Sequence, residues 1–160
     1  MSDNQNLDQE LPRPKPARRR SREFALQGLY QWRVGGADAA AIEGHLPQLE
    51  DFAKADREFF VGLLRGVMGQ GDALAERISR HIDRPFSELS PIEACVLMIG
   101  SFELINHPDT PYRVIINEAI ELAKAFGGTD GHKYVNGVLD KVAGEVRPTE
   151  VAARRKQQGK

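Results

Sequence analysis

Between residues 17 and 148 apolar side chains recur at intervals of three and four, and no stretch alternates with the period of two that a half-buried strand requires. The pattern predicts an all-α fold of about seven helices. The first runs from about residue 17 to 34 and stops at Gly35-Gly36. Turned at about 100° per residue, it gathers Phe24, Ala25, Gly28, Leu29 and Trp32 on a core face. Arg19, Arg22, Leu26, Tyr30 and Arg33 fall on the other side, so Tyr30 is expected among the arginines. Gly28 on the apolar face predicts close approach of another helix.

Further helices are read at about 38–45, 54–68, 72–83, 90–105, 110–126 and 130–146. Ser90-Pro91-Ile92-Glu93 is a strong start signal: a capping serine, proline in the first helical position and glutamate where a capping box needs it. The helix that follows is apolar nearly all round and is expected at the centre of the fold. Thr110-Pro111 repeats the cap-plus-proline signal, and Pro148 is read as the end of the last helix. With short connections throughout, the helices are expected to form two small bundles sharing a core.

The ends read differently. In residues 1–16, Pro12, Pro14 and Pro16 alternate with Arg13 and Lys15, which predicts an extended, disordered arm. Residues 149–160 are polar and basic and are expected to be a disordered tail. The domain is thus placed at 17–148.

Composition adds a charge asymmetry. The net charge of −1 conceals seven basic against one acidic side chain over residues 11–33, and five against one over 147–160. The body between them, 34–146, holds ten basic and eighteen acidic groups. No apolar run reaches membrane-spanning length and the N-terminus has no apolar signal core, so no membrane role is expected. The single cysteine, Cys95, excludes an internal disulfide and a multi-cysteine zinc site, and fits a reducing cytoplasm. It lies in the most apolar helix and is read as a packed core thiol.

Candidate chemistry is sparse. His45, His81, His107 and His132 lack metal-ligand spacing, and no cofactor is implied. Glu118, Glu121 and Asp140 read as surface carboxylates, and Asn117 and Asn136 as hydrogen-bonded partners of neighbouring helix ends. No catalytic signature emerges, and the chain is not expected to be an enzyme.

Arg18, Arg19, Arg20 and Arg22 open the first helix, where the macrodipole is already positive and cations are unfavourable. A polyanion would neutralise them, and a nearby exposed Tyr30 suits unpaired bases better than a duplex groove. RNA or single-stranded DNA is the favoured ligand; the alternative is an adaptor whose basic helix docks an acidic protein.

The same residues carry a family resemblance. ARRRSREFALQGLYQW, residues 17–32, resembles the opening helix of the NusB family of bacterial transcription antitermination factors. PYRVIINEAIELAKAFG, residues 111–127, and HKYVNGVLDK, residues 132–141, are similar to the family's two C-terminal signatures, in the same order and spacing. The resemblance implies two three-helix bundles and a non-enzymatic factor. It also implies the partners: single-stranded boxA RNA of nascent ribosomal transcripts, the ribosomal protein NusE, the other Nus factors and RNA polymerase. The family motifs fall on Arg18, Arg19, Arg20, Arg22 and Tyr30, and on Lys133 and Tyr134, where the family often has phenylalanine. Glu93 and Asp130 are assigned to the NusE side, since acids there would meet a basic ribosomal protein. A related domain precedes the catalytic domain of some RNA cytosine methyltransferases, and this chain is expected to be too short for that activity. Monomer and homodimer both remain open, the latter as a state that would hide the arginine helix.

Overall fold

The computed structural model describes residues 15–159 except Thr129; most of the arm expected over 1–16 lies outside the described residues. Within them the chain forms eight α-helices: α1 (Ala17–Gly35), α2 (Ala39–His45), α3 (Arg57–Gly69), α4 (Gly71–Ser79), α5 (Pro91–Asn106), α6 (Tyr112–Phe126), α7 (Gly131–Val146) and α8 (Pro148–Gln158). Three short 3₁₀ turns, at Leu46–Gln48, Phe52–Lys54 and Phe86–Glu88, complete the connections.

Local chemistry sets the boundaries. Asp38 and Asp56 cap α2 and α3, accepting from the amides of Ala41 and Phe59. Ser90 Oγ accepts from the Glu93 amide, as its motif predicts. Gly36 closes α1 in the left-handed region, with φ 71°. α4 ends at Ser79, four residues before the expected Asp83; Arg80 and His81 follow in a tighter turn, and their side chains bond Glu145 on α7.

α5 is the axis of the molecule. Every residue from Ala94 to Leu104 is buried, and α5 packs against α1, α3 and α4 on one side and α6 and α7 on the other. The two bundles therefore share one continuous core. Cys95 lies fully within it, and burial pushes its thiol up to about 12. Gly28 does mark a close approach: a Cβ there would meet Ile42 Cγ2 at 2.8 Å. Trp32 stands at the rim, against Gly71 and Met98, rather than fully inside. Asn136 departs from expectation too, since its buried Oδ1 has no hydrogen-bond partner.

The C-terminus overturns the expectation of a disordered tail. Pro148 ends α7 but also occupies the first position of α8, where its missing N–H costs nothing. Two charged side chains fasten this helix. Arg147 is buried and donates to the backbone oxygens of Glu103, Leu104, His107 and Thr110, at the end of α5 and in the loop after it; those of Glu103 and His107 also accept from the amides of His107 and Thr110. Glu150 Oε2 accepts from the Tyr112 amide at 2.8 Å. Thr110 was read as the cap of α6, yet the cap comes from α8. Val151 is the one buried apolar side chain of α8.

Replacing Arg147 with alanine removes the donor of the Leu104 and Thr110 carbonyls and strips a second bond from those of Glu103 and His107. We expect a loss of about 2–4 kcal/mol in urea unfolding. Amide exchange in α8 should rise further than in α7, because α8 has little apolar burial to fall back on.

Candidate nucleic-acid interface

α1 begins with its cations pointing in four directions, because successive positions turn by about 100°. The fold meets each with a carboxylate. Arg18 lies 3.7 Å from Asp56, the cap of α3. Arg19 makes a bidentate pair with Glu118 on α6, its Nε 3.0 Å from Oε2. Arg20 lies 4.0 Å from Asp51. Arg22 turns inward to Glu103 on α5, with bonds of 2.7 and 2.9 Å. The repulsion expected of a bare cluster is therefore compensated within the fold.

Arg22 corrects the sequence reading most sharply. Placed on the exposed face by helical geometry, it is only 5 % exposed, and Glu103 1 %. Glu118 approaches its other side at 3.8 Å, and the Phe59 ring lies 5.0 Å from its guanidinium carbon. Burial alone raises the Glu103 carboxyl; the Arg22 guanidinium and the His107 ring outweigh it and hold the group below its ordinary value. Arg22 is thus a structural cation joining α1 to α5.

The other three remain at the surface in unequal degree. The Arg18 side chain is 60 % exposed and lies over the Phe59 ring at 4.6 Å. Arg19 is partly exposed, and Arg20 is more covered.

Tyr30 is exposed but does not stand among those arginines, since eight or more residues of helix separate them, about 12 Å. It lines an apolar groove of about 500 Å³ with Leu26, Gln27, Gln31, Ile92 and Phe126. The Arg19–Glu118 pair joins α1 to α6 near one end of that strip, and Tyr30 with Phe126 marks the other. The two helices therefore run alongside in the same direction, with a track between them that is charged at its start and aromatic at its end. Phe126 was missed from sequence, where it read only as the last apolar residue before Gly127-Gly128.

The track leads to the second cluster. Ile92 in its wall adjoins Glu93, whose Oε1 would lie 3.0 Å from a Cβ placed on Gly131, the first residue of α7. Asp130 is exposed just before it and sits 3.6 Å from Lys133, itself 74 % exposed. The Tyr134 ring is partly buried beneath Arg84, whose guanidinium carbon lies 5.1 Å from its centroid. Its hydroxyl is buried without a partner, and this burial pushes the phenol up. A second groove of about 350 Å³ opens beside the ring, lined in part by His81, Lys133 and Lys141. The structure thus brings Tyr30, Glu93, Asp130, Lys133 and Tyr134 to one end of the molecule. It leaves Arg18, Arg19 and Arg20 at the far end of α1 and withdraws Arg22.

Among the described residues no helix is long and apolar enough to cross a membrane. The fold and this track define an all-helical protein of two bundles that share one core and carry a charged-to-aromatic surface. The chain belongs to the NusB family, whose profile matches residues 19–144. It is 70 % identical over 155 residues to the transcription antitermination protein NusB of Dechloromonas aromatica, covering 97 % of this chain and 95 % of that protein. The protein of the same name from Bordetella pertussis is 56 % identical over 143 residues, covering 87 % and 93 %. The T. maritima NusB structure superposes with a TM-score of 0.72 at 30 % identity, covering 89 % of this chain and 99 % of that one. The fold also matches a chain in a crystal structure of antitermination factors NusB and NusE in complex with dsRNA. There the TM-score is 0.69 at 20 % identity, covering 79 % of this chain and 96 % of that one.

Two arginines of one motif should behave oppositely. Arg22→Ala strands the buried Glu103 carboxylate and should cost about 3–5 kcal/mol in chemical denaturation. Arg18→Ala should change stability by no more than about 0.5 kcal/mol. Because the folded Glu103 value is depressed, its contribution is present above the ordinary carboxylate range and fades as pH falls through the folded value. The wild-type advantage over Arg22→Ala should shrink correspondingly in acid.

Proposed function

We propose that this chain is a transcription antitermination factor that, together with NusE, holds the boxA element of nascent ribosomal transcripts and helps RNA polymerase resist termination. Its role is binding, without catalysis. The observation that carries the reading is the 70 % identity to a transcription antitermination protein across nearly the whole chain. The charged-to-aromatic track is what such a protein needs to hold a single strand.

In this reading the site residues play unequal parts. Arg18 and Arg20 are held by carboxylates at 3.7 and 4.0 Å, and Lys133 by one at 3.6 Å. Such loose surface pairs contribute little and exchange readily for phosphate. Arg19, in its bidentate pair, serves chiefly to set the α1–α6 spacing. Arg22 acts only through the fold. Tyr30 and Tyr134 are the stacking surfaces, each in an open groove. Glu93 and Asp130 flank the apolar groove at the end where NusE, a basic ribosomal protein, would complete the surface. The protein would work in the cytoplasm, where transcripts are made.

Withdrawing Arg22 and tying down Arg19 lowers the number of exchangeable cations to about three. The slope of log affinity against log salt should then be near −2 for single-stranded RNA, or about 20-fold weaker binding between 50 and 200 mM salt. Fluorescence anisotropy on boxA and scrambled RNA, with and without NusE, tests this. Preference for boxA that grows with NusE supports antitermination; equal binding of the two RNAs with NusE present refutes it.

Tyr134→Ala should weaken boxA binding by about 1–3 kcal/mol. Tyr134→Phe should bind as well as wild type and fold slightly more stably, because it deletes a buried hydroxyl that has no partner. A Tyr134→Ala variant with unchanged affinity would remove this ring from the site.

A further inference from the structure

The family profile ends at residue 144, before α8 begins. Only Val151 commits α8 to the core, and residues 152–159 are exposed. A helix polar on nearly every side, extended beyond its anchor, meets no packing need of the fold. Its cations also differ from those of α1. The α1 arginines 18, 19, 20 and 22 each face a carboxylate, whereas Arg154, Arg155 and Lys156 have none within 4.0 Å among the described residues.

The position of α8 is fixed. Arg147 and Glu150 bolt it to the end of α5 and the start of α6. Two links show which end of the molecule this is. The His107 carbonyl accepts from Arg147, and the His107 ring lies 5.5 Å from that of Phe59, which carries Arg18. Arg154 also lines a shallow groove of about 230 Å³ with Arg113 on α6. Arg113 precedes Glu118, the partner of Arg19, by five residues, or about 8 Å of helix. The unpaired cations of α8 therefore stand beside the arginine end of the α1–α6 track, opposite the Tyr30–Tyr134 end.

We infer that α8 is a second RNA-binding element, which takes the phosphate backbone of the transcript where it leaves the arginine end of the track. This rests on the boxA reading and extends it: α8 binds flanking RNA of any sequence, because it offers charge and no stacking ring. About 16 Å of helix, with three exposed cations in consecutive positions, suits a few phosphates of a single strand. A single-stranded RNA is favoured over an acidic protein because the charge continues an RNA track.

The test compares a minimal boxA RNA with the same RNA extended by about eight nucleotides of arbitrary sequence at either end. Each is titrated with NusE and either the full chain or its Arg154→Gln/Arg155→Gln/Lys156→Gln variant. The three side chains are exposed and glutamine is a good helix former, so the variant should fold; circular dichroism checks this. We expect extension at one end to strengthen wild-type binding on the order of tenfold at 100 mM salt, and the variant to lose that gain while binding minimal RNA as wild type does. Its salt slope on extended RNA should flatten by about 2. A variant that binds extended RNA as tightly as wild type overturns the inference and leaves α8 to an acidic protein. Failure of the wild type to prefer minimal boxA over a scrambled RNA would instead sink the boxA reading, and this inference with it.

Discussion

The Arg22–Glu103 pair is the constraint on which the rest of the architecture depends. It joins the first helix to the central one at a point shielded from water, where an unmatched charge would cost several kcal/mol. Bidentate geometry fixes both the rotation of α1 about its axis and its height along α5. Those two settings decide where Arg18, Arg19, Arg20 and Tyr30 emerge. A buried ion pair adds little net stability over a well-packed apolar pair, so its value here is positional. It orients a surface by anchoring one member of the motif inside.

That division changes what an arginine-rich motif means. Four adjacent cations suggested a shared task of meeting a polyanion. The fold instead distributes them among a core anchor, an α6 spacer and two loosely held surface charges. Each acidic partner comes from a different element, and none of those partners lies near the motif in sequence. The acidic excess of the body is partly explained by these pairings.

Much of the architecture was legible because it rests on local chemistry. The continuous apolar run from Ala94 to Leu104 allows only a central helix, and Ser90-Pro91 could only begin one. What escaped were decisions made between distant segments. Leu26 was the missed clue: a leucine grouped with Arg22 on the supposedly exposed face, it is buried at 1 %. The core stripe of α1 is simply wider than the conservative reading allowed, because α1 packs against both bundles. α8 escaped for a related reason. Its composition is that of a free tail, and the residues that hold it, Arg147 and Glu150, act on backbone groups that no side-chain pattern reveals. Family resemblance pointed to Lys133 and Tyr134, whereas charge counting alone pointed only to the opposite end of the molecule.

The end of α5 also imposes an order in time. It receives Arg22 from a point 81 residues earlier and Arg147 from a point 43 residues later. A ribosome adding about 5–20 residues per second separates Arg22 from its carboxylate by roughly 4–16 s of synthesis. During that interval the arginine helix exists with its strongest internal partner unmade. Arg147, translated 43 residues after Leu104, then closes the carbonyls around that partner. Maturation of the α1 surface is therefore a late event in the life of the nascent chain, completed by a residue made well after the helix itself.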